Sequence, residues 1–373
     1  MTLRGYFDVM DYGAKGDGAT NDLAALQAAV DAADAAGGGT VWLGSGSFNI
    51  GVGTWKIGQA NQQHHVNVEG INLNTTRILC DTSNGYTAIY LNFEKYVTLK
   101  GFSIINGGSK GGYGMQLGGD NSAGTQTSGS LLQHIYFHNF TYGLVTSGGM
   151  GTSSEIELDH LIFDGNDYGF YSANFNGLNY LFHMLEMYGN AKVGLYIGTG
   201  NAIVIGGASS NNATDFQIAG GNDGQVKIVG FRAETPTGPW LIANANNYVS
   251  IEDCIVHPRA VGVEVIQAAA ELYVRNTVLQ GIITWNGATQ SALELDHVWV
   301  NMPGSDWSLG NQYSHVTPPF GPGFRMTPNT SVQVDARARI FDVYEGSNNT
   351  FYPNGDYVQV ARPSDGMRCM VKQ

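Results

Sequence analysis

From about residue 64 to residue 303, apolar and polar residues alternate in short runs that recur every 21 to 26 residues, with one longer turn between Gly107 and Gly129. Each repeat carries two runs. The first opens on a turn residue, as in Gly143-Leu144-Val145, Gly169-Phe170-Tyr171 and Gly194-Leu195-Tyr196-Ile197. The second reads Ile156-Glu157-Leu158-Asp159-His160-Leu161 or Val249-Ser250-Ile251-Glu252-Asp253-Cys254. Strict alternation makes each run a strand with one side in a core and one in water. A short period sustained over so many residues predicts a solenoid of stacked strands.

Before this repeat, residues 7–50 read as strand, loop, helix, strand. Thr20, Asn21 and Asp22 offer N-cap oxygens, Leu23, Leu26 and Val30 share one face of an Ala-rich helix, and Gly37-Gly38-Gly39 stops it. An amphipathic helix there covers the open end of a strand stack, which would otherwise expose apolar interior and unpaired backbone. The words Asp8-Val9-Met10-Asp11-Tyr12-Gly13-Ala14-Lys15-Gly16-Asp17-Gly18, then Thr20-Asn21-Asp22 and Gly37-Gly38-Gly39-Thr40-Val41-Trp42-Leu43, resemble the opening of the pectate-lyase-like superfamily. That group holds polygalacturonases, pectate lyases, exo-glucanases and phage tailspike depolymerases. The resemblance implies a right-handed, single-stranded parallel β-helix with an N-terminal helical cap, used mainly on long acidic or neutral polysaccharides. It carries over no catalytic residue, since the segment is a structural cap in the family. The Asn-Thr-Asp, Asp-Asp, Gly-His-Gly and Arg-Ile-Lys blocks of polygalacturonases and the Arg-Pro-rich signature of pectate lyases are missing. What is left is similarity to tailspike-type members.

Superposing the second runs puts Gly101, His134, His160, Met184, Gly206, Gly230, Asp253, Asn276 and His297 in one column at a corner of the coil. Two residues on, an outward column holds Ser103, Tyr136, Ile162, Glu186, Ala208, Arg232 and Ile255. Two further on come Ile105, His138, Asp164, Tyr188, Ser210, Glu234 and His257. Column neighbours in successive repeats lie about 4.8 Å apart. Asp164, Glu186, Arg232, Glu234 and His257 thereby gather into one patch, the candidate catalytic group. Tyr188 joins them as a substrate contact. On the first strand Tyr171, Tyr196, Gln217 and Glu264 point outward, with Asn174, Asn201 and Asn222 at the following turn, a mixture of rings, amides and carboxylates suited to sugars.

Two chemistries remain open. Hydrolysis needs two carboxyl groups, and Asp164 and Glu186, about 8 Å apart by strand geometry, form the leading pair. Elimination from a uronate needs a base and a cation, for which Arg232, His257 and Glu234 stand ready. An ion pair of Arg232 with Glu186 or Glu234 is the structural alternative. Asp159, His183 and Glu252, one residue before the corner, form a third candidate column, while His134 and His160 are expected to stack.

Composition narrows the partners. Only 13% of residues are charged and 52 are Gly, which fits many short strands and tight turns. A net charge of −13 argues against nucleic acid and anionic membranes as partners. Cys80, Cys254 and Cys369 have no zinc or redox spacing and are expected as free thiols. No cofactor is implied, though clustered Asp and Asn leave Ca²⁺ open. No membrane span or export signal is read in the chain. After Asn301 a Pro- and Gly-rich stretch reads as a surface linker, followed by strands and a hairpin about Asn354-Gly355. The expected domains are a cap (1–50), a β-helix (51–303) and a linker with a small β-element (304–373). By analogy with tailspikes, that element joins a homotrimer on a virion or other extracellular surface. The alternative to a depolymerase is an appendage that binds without cleaving.

Overall fold

The computed structural model describes residues 5–279 apart from 59–63, 93–94, 119–125, 147–151, 174–176, 220–223, 245–246 and 259–263. Beyond 279 it describes only backbone segments, the first at 282–285 and the last at 368–372. The chain winds into a parallel β-solenoid. Helix α1 (Leu23–Ala35) closes its N-terminal end, burying Leu26, Ala29, Val30 and Ala33 against the first coils. Asp22 precedes α1 but makes no side-chain cap bond to it; its buried carboxylate accepts from the backbone N–H groups of Lys15 and Gly16 instead. Asn21 Oδ1 takes the capping role toward Leu23 N at 3.0 Å. Gly38 is required by space as well as by its φ of 120°, because a Cβ there would lie 1.9 Å from the His64 carbonyl oxygen.

The second run of each repeat forms a strand bent by one residue. Leu131–His138, Glu157–Asp164, Tyr180–Tyr188 and Ala202–Ser210 pair in parallel register. At the bend, Gly101, His134, His160, Met184, Gly206, Gly230, Asp253 and Asn276 all have φ between 47° and 77°. The corner column read from the sequence is thus a column of left-handed residues. It divides each strand into a first arm before the bend and a second arm after it; from Gly224 onward the arms are separate strands. Both outward columns beyond the corner hold as expected, through Glu186↔Ala208↔Arg232↔Ile255 and Tyr188↔Ser210↔Glu234↔His257. His297 lies outside the described residues.

A buried asparagine ladder fixes the turn between second arm and the next strand. Asn166 Nδ2 donates to Asn190 Oδ1 at 3.3 Å and Asn190 Nδ2 to Asn212 Oδ1 at 2.8 Å. The ladder ends on Asp215, whose carboxylate accepts from Asn212. Asp215 is fully buried, and that burial pushes its carboxyl up to about 7 despite the asparagine amide. Inside the coil Phe137 stacks on Phe163 at 5.1 Å, and Phe170 meets Phe182 edge-on.

The first runs make a third sheet, including Gly111–Leu117, Phe140–Thr146, Tyr168–Ser172 and Val193–Ile197. Parallel pairing does not stop at Asn301. Tyr313–Val316 pairs with Ala292–Asp296, and Ser305–Leu309 with Phe324–Pro328, so coil strands run through the stretch expected as a linker. Tyr357–Ala361 is a strand, but the pair it makes is antiparallel with Arg368–Lys372, downstream of the expected hairpin about Asn354-Gly355. That dipeptide lies outside the described residues, as do 331–343.

Candidate functional site

On the first arms the outward positions of successive coils are Glu157↔Leu181↔Ile203↔Lys227↔Ser250. Leu181 and Ile203 make an apolar floor where alternation would place polar groups, and Ile203 is 43% exposed. With Asn179, Asn201, Tyr248 and Glu252 at the margins they enclose a slot of about 670 Å³. It crosses five strands, so by inter-strand spacing it runs about 19 Å along the axis. A long trough with an apolar floor and amide and carboxylate walls suits an extended ligand with apolar faces and many hydroxyls.

Glu155 and Glu157 line one end of the slot, and further carboxylates and imidazoles stand beside it in the next outward column. His183 Nδ1 lies 3.3 Å from Glu157 Oε1, and His160 Nδ1 lies 2.6 Å from Asp159 Oδ1. Gln133 Nε2 donates to Asp159 Oδ2 at 2.7 Å, and His134 stacks on His160 at 4.8 Å, as expected for that pair. Partial burial pushes the Asp159 carboxyl up, but the bonds from Gln133 and His160 outweigh it and hold the group below its ordinary value. Asp159 is an ionised acceptor. Glu157, two positions earlier on the same face, has its Cα about 7 Å away by strand geometry. At the far end Lys227 Nζ pairs with Glu252 at 3.0 Å, and that bond is the main cause of a lowered Glu252 carboxyl.

The patch read from the sequence lies on the second arms and resolves into separate groups. Asp164 Oδ2 accepts from the Tyr136 hydroxyl at 2.6 Å and sits 3.1 Å from His138 Nδ1. Glu186 accepts from Tyr188 at 2.7 Å. Arg232 pairs with Glu234 at 2.7 Å, both more than half exposed, which is the structural ion pair weighed beforehand. His257 lies opposite Glu234 in the register. Asp164 and Glu186 are one coil and two positions apart, as their columns require, and each is bonded to its own tyrosine.

On the third sheet Tyr171, Tyr196 and Gln217 share a column. Glu264 does not join it. The column continues through Ile242 to Gln267, three positions beyond Glu264, which accepts a hydrogen bond from Gln267. Three further tyrosines stand beside it: Tyr113, Tyr142 and Tyr168, in a parallel column whose rings stack at 5.2 and 5.1 Å. Sequence reading passed over them because it opened the strands at Gly143 and Gly169, three residues and one residue late, and read the stretch between Gly107 and Gly129 as one longer turn. Asn201 lines the slot, while Asn174 and Asn222 lie outside the described residues. Among the described residues no group of three or more His, Cys, Asp or Glu is placed to hold a metal ion, and no helix is long and apolar enough to cross a membrane. Cys80 and Cys254 are free and buried.

Residues 6–54 match the family model of rhamnogalacturonase A/epimerase, pectate lyase-like proteins. Over 47 residues the chain is 60% identical to mannuronan C5-epimerase AlgE3 of Azotobacter vinelandii and 57% identical to alginate lyase 7 of the same organism. Those matches cover 13% of this chain and 3% and 6% of the two relatives. Among solved structures the A-module of Azotobacter vinelandii mannuronan C-5 epimerase AlgE6 is 16% identical with a TM-score of 0.61, over 86% of this chain and 100% of that one. DFA-IIIase of Arthrobacter chlorophenolicus A6 gives 9% and 0.60, over 88% and 100%. The gp42 tailspike of Acinetobacter phage vb_AbaP_AS12 gives 10% and 0.57, over 93% and 67%. These likenesses show a shared parallel β-helix.

Proposed function

We propose that this chain, pectate-lyase-like in its opening and a parallel β-helix beyond it, binds an extended polysaccharide in the first-arm slot and cleaves it at the cluster of Glu157, Asp159 and His183. One observation carries the reading: a trough that crosses five coils has Glu157 in its lining, with His183 bonded to that carboxylate and the Asp159–His160 pair two strand positions away. The names of its relatives, mannuronan epimerases and an alginate lyase, support a carbohydrate as the ligand class.

The chemistry follows from the two carboxyl groups. Asp159, held ionised, acts as base or nucleophile, and Glu157 delivers the proton to the leaving oxygen. His183 and His160 hold the two carboxyl groups in place. Incubating the protein with bacterial capsular and plant polysaccharides while following reducing ends and ultraviolet absorbance separates the routes. Reducing ends alone mean hydrolysis; a rise in absorbance as well means elimination, with His183 as the base. Full activity of both Asp159→Asn and Glu157→Gln on a cleaved polymer would sink this assignment.

A second reading, an extracellular or virion appendage that binds without cleaving, draws on the mutually satisfied pairs of the second arms. Binding of a polymer with no product from any of the panel would favour it. Whether the chain works as a homotrimer is read by sedimentation of the same preparation.

A further inference from the structure

The third sheet carries a second surface with a chemistry different from the slot. Tyr171 and Tyr196 stack at 4.5 Å with 10° between planes, and Tyr142, Tyr168 and Tyr171 meet edge-on across the two columns. Rings stacked along the axis spend their faces on one another. The rings are half-buried, which leaves part of one phenol per coil at the surface from Tyr113 to Tyr168. Burial first, and the neighbouring tyrosines second, push the Tyr171 phenol up to about 12, so it stays an O–H donor in any ordinary solution.

Beside this row the Asp167 carboxylate is shared by two ammonium groups. Lys110 Nζ lies 3.4 Å from Oδ1 and Lys192 Nζ 3.5 Å from Oδ2. Lys192 also stands 5.3 Å over the Tyr168 ring. Two ammonium groups thus gather on one carboxylate in a chain whose net charge is −13. The slot is opposite in character, with Glu155, Glu157 and Glu252 against Lys227.

We propose that this tyrosine and lysine face is a second carbohydrate site, separate from the slot, which holds an anionic polysaccharide. Acidic groups on the polymer lie against Lys110 and Lys192, and the phenol row donates to its oxygens. The donors repeat at the coil spacing of about 4.8 Å, so an extended chain lying along the axis meets several at once. Nucleic acid is the poorer fit, since bases need free ring faces and these are used within the stack.

Electrophoresis of the full chain through gels containing polygalacturonate, dextran sulfate or neutral dextran tests this. Retardation is expected in the two anionic gels and not in dextran, with the stronger of the two telling carboxylate from sulfate. The double variant Lys110→Gln, Lys192→Gln should weaken it at least tenfold. Tyr168→Phe, which keeps the stack, should weaken it a few fold. Unchanged retardation in the lysine variant, or equal retardation in neutral dextran, overturns the proposal. So does a wild-type oligomer that the lysine variant turns into monomer, since the face is then a contact between copies. Asp159→Asn should be retarded like the wild type, so loss of cleavage and loss of this site are read separately.

Discussion

The two arms of each bent strand carry similar inventories and reach different states. On the second arms Asp164 and Glu186 are bonded to Tyr136 and Tyr188, whose hydroxyls are driven upward by burial first and by those carboxylates second. Such phenols remain neutral donors and hold the carboxylates in place. On the first arms Glu157 and Asp159 meet imidazoles, as Asp164 also meets His138 on the second, but here Glu157 lines a trough as well. Charged residues in register are therefore insufficient evidence for acid–base chemistry. The concavity of the surface decides between two faces separated by one left-handed residue.

The broadest challenge to this contrast is structural. Phe163 is buried in the second arm and stacked on Phe137, so Phe163→Ala should cost about 3–5 kcal/mol in denaturant unfolding. A single cooperative transition would make the two arms one unit; loss of the second arm alone would separate them. Next, Asp159→Asn should lower cleavage at least 100-fold while Asp164→Asn stays within about threefold. The reverse ranking would move the chemistry to the second arms. Asp215, at the foot of the ladder behind the second arms, gives a pH signature. Its folded value of about 7 lies above its ordinary 3.8, so stability is full below 3.8 and is lost as pH rises toward and through 7. Thermal melts across that window should show the decline, and Asp215→Asn should flatten it. Smallest is the bend itself: Met184 holds φ 48° and is 48% exposed, so Met184→Gly should raise stability by up to about 1 kcal/mol.

The corner column was legible because a left-handed bend leaves a chemical trace, and Gly, Asn and Asp recur at one phase of the repeat. Once that phase was set, strand geometry delivered both columns beyond it, residue by residue. Glu264 was misplaced for the converse reason, since that strand carries no such mark of its phase and Gln267, three residues later, takes the column position. The slot left little trace. Its floor reads as Leu181 and Ile203 at outward positions, and its walls come from Asn179 and Asn201 in turns whose path no periodicity dictates. Tyr142 and Tyr168 escaped because each precedes the glycine taken for the strand's start, although the residue before a glycine can still lie on the sheet.

The five-coil slot is also a ruler with removable divisions. Each coil touches chiefly the one before and the one after, so excising a whole repeat, for instance the stretch from Asn201 to Gly224, would bring Leu181 against Lys227 in the same register. The trough would shorten by about 4.8 Å, one graduation, with its acid–base end untouched. Product length would then change in steps, and such proteins could evolve their gauge by duplicating or losing coils without redesigning the machinery at the end.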